Sequence, residues 1–446
     1  MRRRHPRRAS VVREGEGEHP VAEGSPRTER NARNARTAGT ARPAPVGTTE
    51  PEYELTGALD TDPLGLFAAA TADDLAYAQR ARTFVEAEVL PVIDGYWDRA
   101  EFPVHLAKRL GELDLLREAT AIDGFAPMSP LAAGLVNLEI NRGDGSLGAF
   151  IGVQGGLVLR SIAAFGSPEQ KERWLAPLAR GDELAAFALT EPTHGSDSVA
   201  LETTATPAPG SSGDFLLNGE KKWIGNGSVG SVTIVWARTQ GGAVRGFLVD
   251  QTSPGYTATV IEGKASLRAI WQTHVVLNDV RVPATALLPG AKSFGDTARA
   301  IQSTRLSVSW AALGHATACY EAAVQYAAQR IQFGRPLAAS QIVQERLARM
   351  LSELATIQLL CFQCAALDAR GELTAVQASL AKYTSTRTAR TIAANARDLL
   401  GGNGILLQHS VARHLADLES LHTYEGTETI QALLIGRSIT GISAFS

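Results

Sequence analysis

Cysteine is scarce in this 446-residue chain, with three residues at Cys319, Cys361 and Cys364. So few thiols cannot build a disulfide framework, which excludes a small stapled secreted fold. Cys361 and Cys364 have a CxxC spacing but lie inside a long helical pattern with no second pair nearby. Burial on a helix is therefore the expected reading, and a reducing, cytoplasmic setting follows. Long apolar runs are also lacking. None approaches the roughly 20 residues that span a bilayer, so no membrane partner is expected. A strong net charge is absent too, the total being −3.

That small total hides an asymmetry. Residues 1–50 hold 11 Arg against 6 Glu, a net of +5, which leaves −8 for residues 51–446 by difference. The opening Arg2-Arg3-Arg4-His5-Pro6-Arg7-Arg8 has no apolar segment behind it, so it does not read as a secretory signal. Residues 1–60 are poor in large apolar side chains and read as a disordered basic extension. A nucleic-acid-binding arm, a targeting peptide or a start codon set too far upstream are the sharper alternatives. The glutamates at 14, 16 and 18 weigh against targeting.

Three segments follow. Residues 65–181 read as helical, with Leu75, Ala78, Ala81, Phe84 and Val85 at a three-to-four-residue period, ended by Pro91 and Gly95. Further helices are expected after Pro103, at Ser129-Pro130 and at Ser167-Pro168, with proline just inside the start. Residues 182–292 read as a middle antiparallel β-barrel or sandwich, with strands around 215–217, 232–236 and 246–249. Residues 293–446 return to long helices, Thr304–Gln329, Leu337–Arg370 and Leu373–Leu400, a C-terminal four-helix bundle. Gly401-Gly402-Asn403-Gly404 stops the third, where positive φ is easy. The fold class is α+β.

Within this frame five segments carry chemistry. Phe187-Ala188-Leu189-Thr190-Glu191-Pro192-Thr193-His194-Gly195-Ser196-Asp197 is a strand ending in a polar turn, suited to the polar edge of a heterocycle; alone, such a turn is usually structural. Lys222-Trp223-Ile224-Gly225-Asn226-Gly227 puts a Trp beside small residues, able to lie against a planar ligand or simply to fill a core. Gln329-Arg330-Ile331-Gln332-Phe333-Gly334-Arg335-Pro336 breaks two helices, and its Arg could clamp a phosphate. Arg397-Asp398-Leu399-Leu400-Gly401-Gly402 lets backbone approach a pyrophosphate. Thr423-Tyr424-Glu425-Gly426-Thr427 sets one carboxylate between an aromatic ring and a glycine.

In order and separation these motifs resemble the acyl-CoA dehydrogenase family over residues 65–446. The C-terminal stretch from Thr423 to Ile442 is most similar to the glutaryl-CoA dehydrogenase branch, itself similar to plant short-chain acyl-CoA oxidases. The resemblance implies FAD, with Phe187, Leu189, Thr190, Ser196, Trp223, Ile224 and Gly225 along the flavin. Arg330, Gln332, Phe333, Gln341, Asp398, Leu399, Gly401 and Gly402 would hold its adenosine diphosphate part, largely from a neighbouring subunit of a homotetramer. Thr427 and Phe445 would approach the cofactor. Ser196, Arg305, Tyr424, Gly426 and Gly148 would meet an acyl-CoA, or an acyl group on a carrier protein. Glu425 would remove its α-proton. Electrons would pass to electron-transfer flavoprotein, or to O₂ in an oxidase. No metal is implied.

Two departures from the branch pattern narrow the substrate. The Arg that pairs with a distal carboxylate falls on Gly148 here, and its Glu neighbour on Asn141. A dicarboxylate would be left without its cation, so glutaryl-CoA is not the expected main substrate, and a short or medium chain is. Gly148 and Gly152 suggest room instead. Gly225 stands where the family has a hydroxyl near the flavin, which keeps the oxidase reading open. A DNA-binding flavoprotein is a third reading, set against the net negative charge of residues 51–446.

Overall fold

The computed structural model describes residues 59–211 and 213–445, so the reading of residues 1–60 falls almost wholly outside the described residues. The first segment runs α1 (Ala72–Phe84), α2 (Ile93–Arg99), α3 (Val104–Glu112), α4 (Pro130–Gly143) and α5 (Gly145–Ile151). A π-helical stretch, Gly152–Leu159, then leads into α6 (Arg160–Phe165) and α7 (Pro168–Ala179). Ser129 and Ser167 cap α4 and α7 with proline at the first turn. Gly95 does not end a helix as expected: it lies inside α2, because the chain restarts after Pro91.

Seven strands follow: β1 (Ala185–Ala188), β2 (Thr204–Pro207), β3 (Phe215–Gly225), β4 (Val232–Thr239), β5 (Val244–Asp250), β6 (Tyr256–Val260) and β7 (Gln272–Val282). They form one sheet in the order β1-β4-β2-β3-β7-β6, with β5 on β4. Four pairings are antiparallel, but β1 and β2 both run parallel to β4. The sheet is thus mixed: β3 runs back antiparallel to β2, so β4 re-enters in the direction of β2, and β1 lies on the other side of β4 in that same direction.

The last segment holds α8 (Phe294–Gln329), a two-strand hairpin of β8 (Ile331–Gln332) and β9 (Arg335–Pro336), α9 (Gln341–Ala369), α10 (Ala375–Leu399), α11 (Val411–Thr423) and α12 (Glu428–Thr440). Helix α8 starts ten residues before Thr304, because Ser293 and Asp296 form a capping box. Cys319, Cys361 and Cys364 are buried thiols in this bundle core. The apolar-run reading needs correction, since Gly145–Phe165 and Gln341–Ala369 are long and apolar enough to cross a bilayer. The first is mostly inside the protein, and the second packs Met350, Leu354 and Ile357 into the bundle.

A buried polar knot joins the helical segments. Asp417 on α11 accepts from Leu267 N at 2.6 Å and Trp97 Nε1 at 3.2 Å, while its second oxygen, Oδ2, has no partner. Burial, and then the neighbouring Asp144, push its carboxyl up to about 7. In the folded chain this group keeps its proton where the unfolded chain has lost it. Its stabilisation is full near its ordinary 3.8 and is lost as pH rises toward about 7. Asp417→Asn keeps an acceptor and removes the titration. Its urea midpoint is expected to gain on the parent between pH 5 and pH 7, and an unchanged difference would contradict the assignment.

Candidate active site

Glu425 sits on the short link between α11 and α12. Two successive positive φ values, 54° at Glu425 and 82° at Gly426, turn the chain sharply. The second suits glycine, and a Cβ there would meet Gln431 Nε2 at 2.5 Å. The first is strained for a glutamate and is held by its surroundings. Gln431 Nε2 donates to Glu425 O at 3.0 Å and Gly426 O at 3.1 Å. The Lys382 ammonium, buried on α10, donates to the carbonyls of Tyr424 and Gly426. Thr427 then caps α12 through Ile430 N.

The Glu425 carboxylate meets Thr304 Oγ1 at 2.8 Å, and that hydroxyl is also 2.8 Å from Ile301 O. One hydroxyl proton cannot serve both acceptors. Thr304 is the donor in both contacts, so its proton turns between the carboxylate and Ile301 O. Burial raises the Glu425 carboxyl and Glu118 adds to this, against Thr304, Lys382 and Arg305, which favour the anion. Burial likewise brings Lys382 down to about 7. A carboxylate poised upward beside cations is chemically a base that can hold a proton and release it.

A second polar cluster stands at the end of the sheet. Lys221 Nζ donates to Leu189 O at 3.0 Å and to Glu191 at 2.9 Å, and Glu191 also accepts from Glu202 N and Thr203 N. Although burial opposes it, this shell around Lys221 holds the Glu191 carboxyl down at about 2. Glu191, His194 and Glu202 converge as metal ligands would, but Glu191's oxygens are already engaged here. The turn is thereby fixed, with Thr190 half-buried and Ser196 exposed. Lys222 N donates to Thr190 O at 2.8 Å, bringing the turn beside Trp223. Trp223 has φ 67° at a bulge between β3 and β7 and is 55% exposed, a large ring left uncovered beside polar groups. Phe187 and Ile224 are buried, Phe187 against Trp236, so they can offer backbone only. A Cβ on Gly225 would meet Val153 at 3.3 Å.

The structure does not bring the proposed adenosine group to Glu425 within one chain. Lys382 touches the Glu425 link, whereas Asp398 lies 16 residues on along α10, about 24 Å away. Asp398 pairs with Arg346 at 3.1 Å, Leu399 is half-buried, and Gly401 and Gly402 border open space. Arg330, Gln332 and Gln341 are exposed, and Phe333, at φ 52°, is fully so. Phe445 is also exposed, beyond α12. Exposed rings and open glycines suit contact with a planar ligand.

On the substrate side, buried Arg305 donates to Ser379 Oγ at 3.0 Å and keeps its Nε without a partner. It lines a cavity of about 290 Å³ with Gln302, Val376, Leu434 and Arg437. Tyr424 is half-buried beside Glu425. The expected room at Gly148 is corrected, since a Cβ there would meet Asn141 Oδ1 at 2.0 Å. Asn141 fills that space from α4, whereas Gly152 does border open space. Sequence reasoning missed Thr304, Lys382 and Glu118. Lys382 had a signal, a lone cation in Ser-Leu-Ala-Lys on an alanine-rich helix face.

A β sheet with the uncovered Trp223 ring beside a polar turn, followed by a bundle of long helices that carries the raised carboxyl of Glu425, is the layout of a flavin-type oxidoreductase. The acyl-CoA dehydrogenase N-terminal, middle and C-terminal domains match residues 71–182, 186–280 and 294–440, so the chain belongs to the acyl-CoA dehydrogenase family of FAD-dependent oxidoreductases. It is 34% identical to the human mitochondrial short-chain specific acyl-CoA dehydrogenase over 80% of this chain and 87% of that one. A glutaryl-CoA dehydrogenase structure from Mycobacterium smegmatis is 41% identical, with TM-score 0.83, covering 86% of this chain and 99% of that chain. Another from the same organism, in complex with FADH2, is 38% identical with TM-score 0.82, covering 84% and 97%.

Proposed function

We propose that this chain oxidises an acyl thioester to its trans-2-enoyl form, with Glu425 removing the α-proton. The contact that carries this reading is Glu425 to Thr304 at 2.8 Å, on a link braced by Lys382 and Gln431. FAD is the cofactor, and Leu189, Thr190, Ser196 and Trp223 suit its ring system, with Thr427 close to Glu425. Gly401, Gly402, Arg330 and Phe333 of a neighbouring subunit suit its adenosine end, which implies a homo-oligomer. When bound, FAD takes up the electron pair leaving with the β-hydrogen. The α-proton of a thioester is too weakly acidic for a carboxylate in water, so the developing enolate needs hydrogen-bond donors at the thioester oxygen. Gly426, next to the base, is the proposed source of a backbone N–H there.

The cavity beside Arg305 and Arg437 suits the phosphorylated arm of CoA or of a carrier protein. No cation stands at Gly148, and Asn141 is neutral, so a distal carboxylate has no counter-charge there. Butyryl-CoA is therefore expected to reduce the enzyme at least about tenfold faster than glutaryl-CoA, the effect of one missing ion pair. Comparable anaerobic flavin bleaching by the two would contradict this. Electron-transfer flavoprotein is the proposed acceptor. Gly225 keeps an oxidase as the second reading, which faster product formation with O₂ than with the flavoprotein would favour.

A further inference from the structure

We propose that Glu118 is a specificity-determining residue that receives a hydroxyl group carried on the acyl chain, making a hydroxyacyl thioester the preferred substrate class. This rests on the dehydrogenation proposed above. Glu118 is 2% exposed, in the turn after α3, where it and Ala119 adopt φ values of 45° and 62°. Two adjacent non-glycine residues in the left-handed region are costly, so the surroundings must impose them. Asn137 Nδ2 donates to Oε1 at 2.8 Å, and Ser307 Oγ donates to Oε2 at 2.9 Å. Arg160 lies 3.9 Å from Oε2.

The π-helical stretch is cut away to admit this side chain. A Cβ on Gly155 would lie 1.9 Å from Leu116 O, and one on Gly156 would lie 2.7 Å from Glu118 Oε2. The same Gly156 point is 3.2 Å from the methyl of Thr304, whose hydroxyl touches the Glu425 carboxylate. Gly152, one turn earlier on that face, borders open space. Gly152 thus leaves room on the face that leads to the base, and Glu118 closes that face one turn on, beside Thr304. An unsubstituted alkyl chain gains nothing from a buried carboxylate and desolvates it. Each Glu118 oxygen has one lone-pair direction left after Asn137 and Ser307. Arg160 already balances its charge, so a neutral donor suits it better than an ammonium group. A second carboxylate so near also opposes ionisation of Glu425, a cost that a role in recognition would offset.

The test compares FAD-loaded enzyme with 4-hydroxybutyryl-CoA and 5-hydroxyvaleryl-CoA against butyryl-CoA and valeryl-CoA, by anaerobic flavin reduction. The parent is expected to favour one hydroxyacyl thioester over its alkyl partner in kcat/KM by about 10- to 100-fold, as for one charge-assisted hydrogen bond. In Glu118→Ala the hydroxyacyl-to-alkyl ratio of kcat/KM, read at one pH so that any change in the base acts on both substrates alike, should fall to about one, and Glu118→Gln should keep part of it. An alkyl preference in the parent overturns the inference without any variant, and so does a ratio that Glu118→Ala leaves unchanged. A stronger gain with 4-aminobutyryl-CoA overturns the choice of a neutral donor. No reduction by any thioester overturns the dehydrogenase reading as well, which separates the two failures.

Discussion

Glu425→Gln is expected to lower the rate of flavin reduction by acyl-CoA about 10²- to 10⁴-fold, the span of a lost general base. FAD content and folding should not change, because the amide has the shape of the carboxyl and still meets Thr304. The pH dependence tests the same assignment from a second side. Glu425 must be ionised to take a proton, so the reduction rate should rise with pH along an acid limb. Burial raises this carboxyl, which places the limb above the usual carboxylate range. Lys382 favours the anion, so Lys382→Met should move the limb to still higher pH. Glu118 opposes the anion, so Glu118→Gln should move it down. Single-turnover reduction across the pH range reads all three. A Glu425→Gln enzyme with full rate, or limbs moving in the opposite directions, would remove Glu425 from the mechanism.

What the sequence made legible was local. The Glu425 link could be read because an aromatic residue, a glycine and a capping threonine sit side by side, and the backbone turns at the glycine and restarts a helix at the threonine. Gly401 could be read as a helix stop for the same reason, at φ 59°. Lys382 and Thr304 were not legible as partners of Glu425, lying 43 and 121 positions away on helices whose faces only packing defines. Gly148 misled because a missing side chain looks like space until its neighbour is known, and Asn141 from another helix fills it. The parallel pairing of β1 and β2 with β4 was hidden likewise, since strand patterns carry no direction.

Arg413→Met is expected to destabilise the protein by about 3–5 kcal/mol, the cost of stranding a buried charge. Arg413 is 1% exposed on α11 and donates to Asp144 Oδ2 and Gly143 O, both at 2.9 Å, and to Asp94 at 3.1 Å. Asp144 has no exposure and also caps α5 through Ser146 N and Leu147 N. The nearby His315 and His414, 2.8 Å apart, are held neutral chiefly by burial, with the Arg413 charge adding to it. Neutralising Asp144 as well should recover part of the loss, so Arg413→Met with Asp144→Asn is expected to be more stable than Arg413→Met alone by about 1–3 kcal/mol. Urea midpoints on the FAD-loaded proteins measure both steps. If Arg413→Met cost under about 1 kcal/mol, the knot would be solvated and the pairing incidental. The effect should reach catalysis too, since α11 runs from Arg413 directly into Tyr424 and Glu425. A protein that stayed folded but lost part of its reduction rate would show that this buried cation, packed between the first and last helical segments, keeps the base in register.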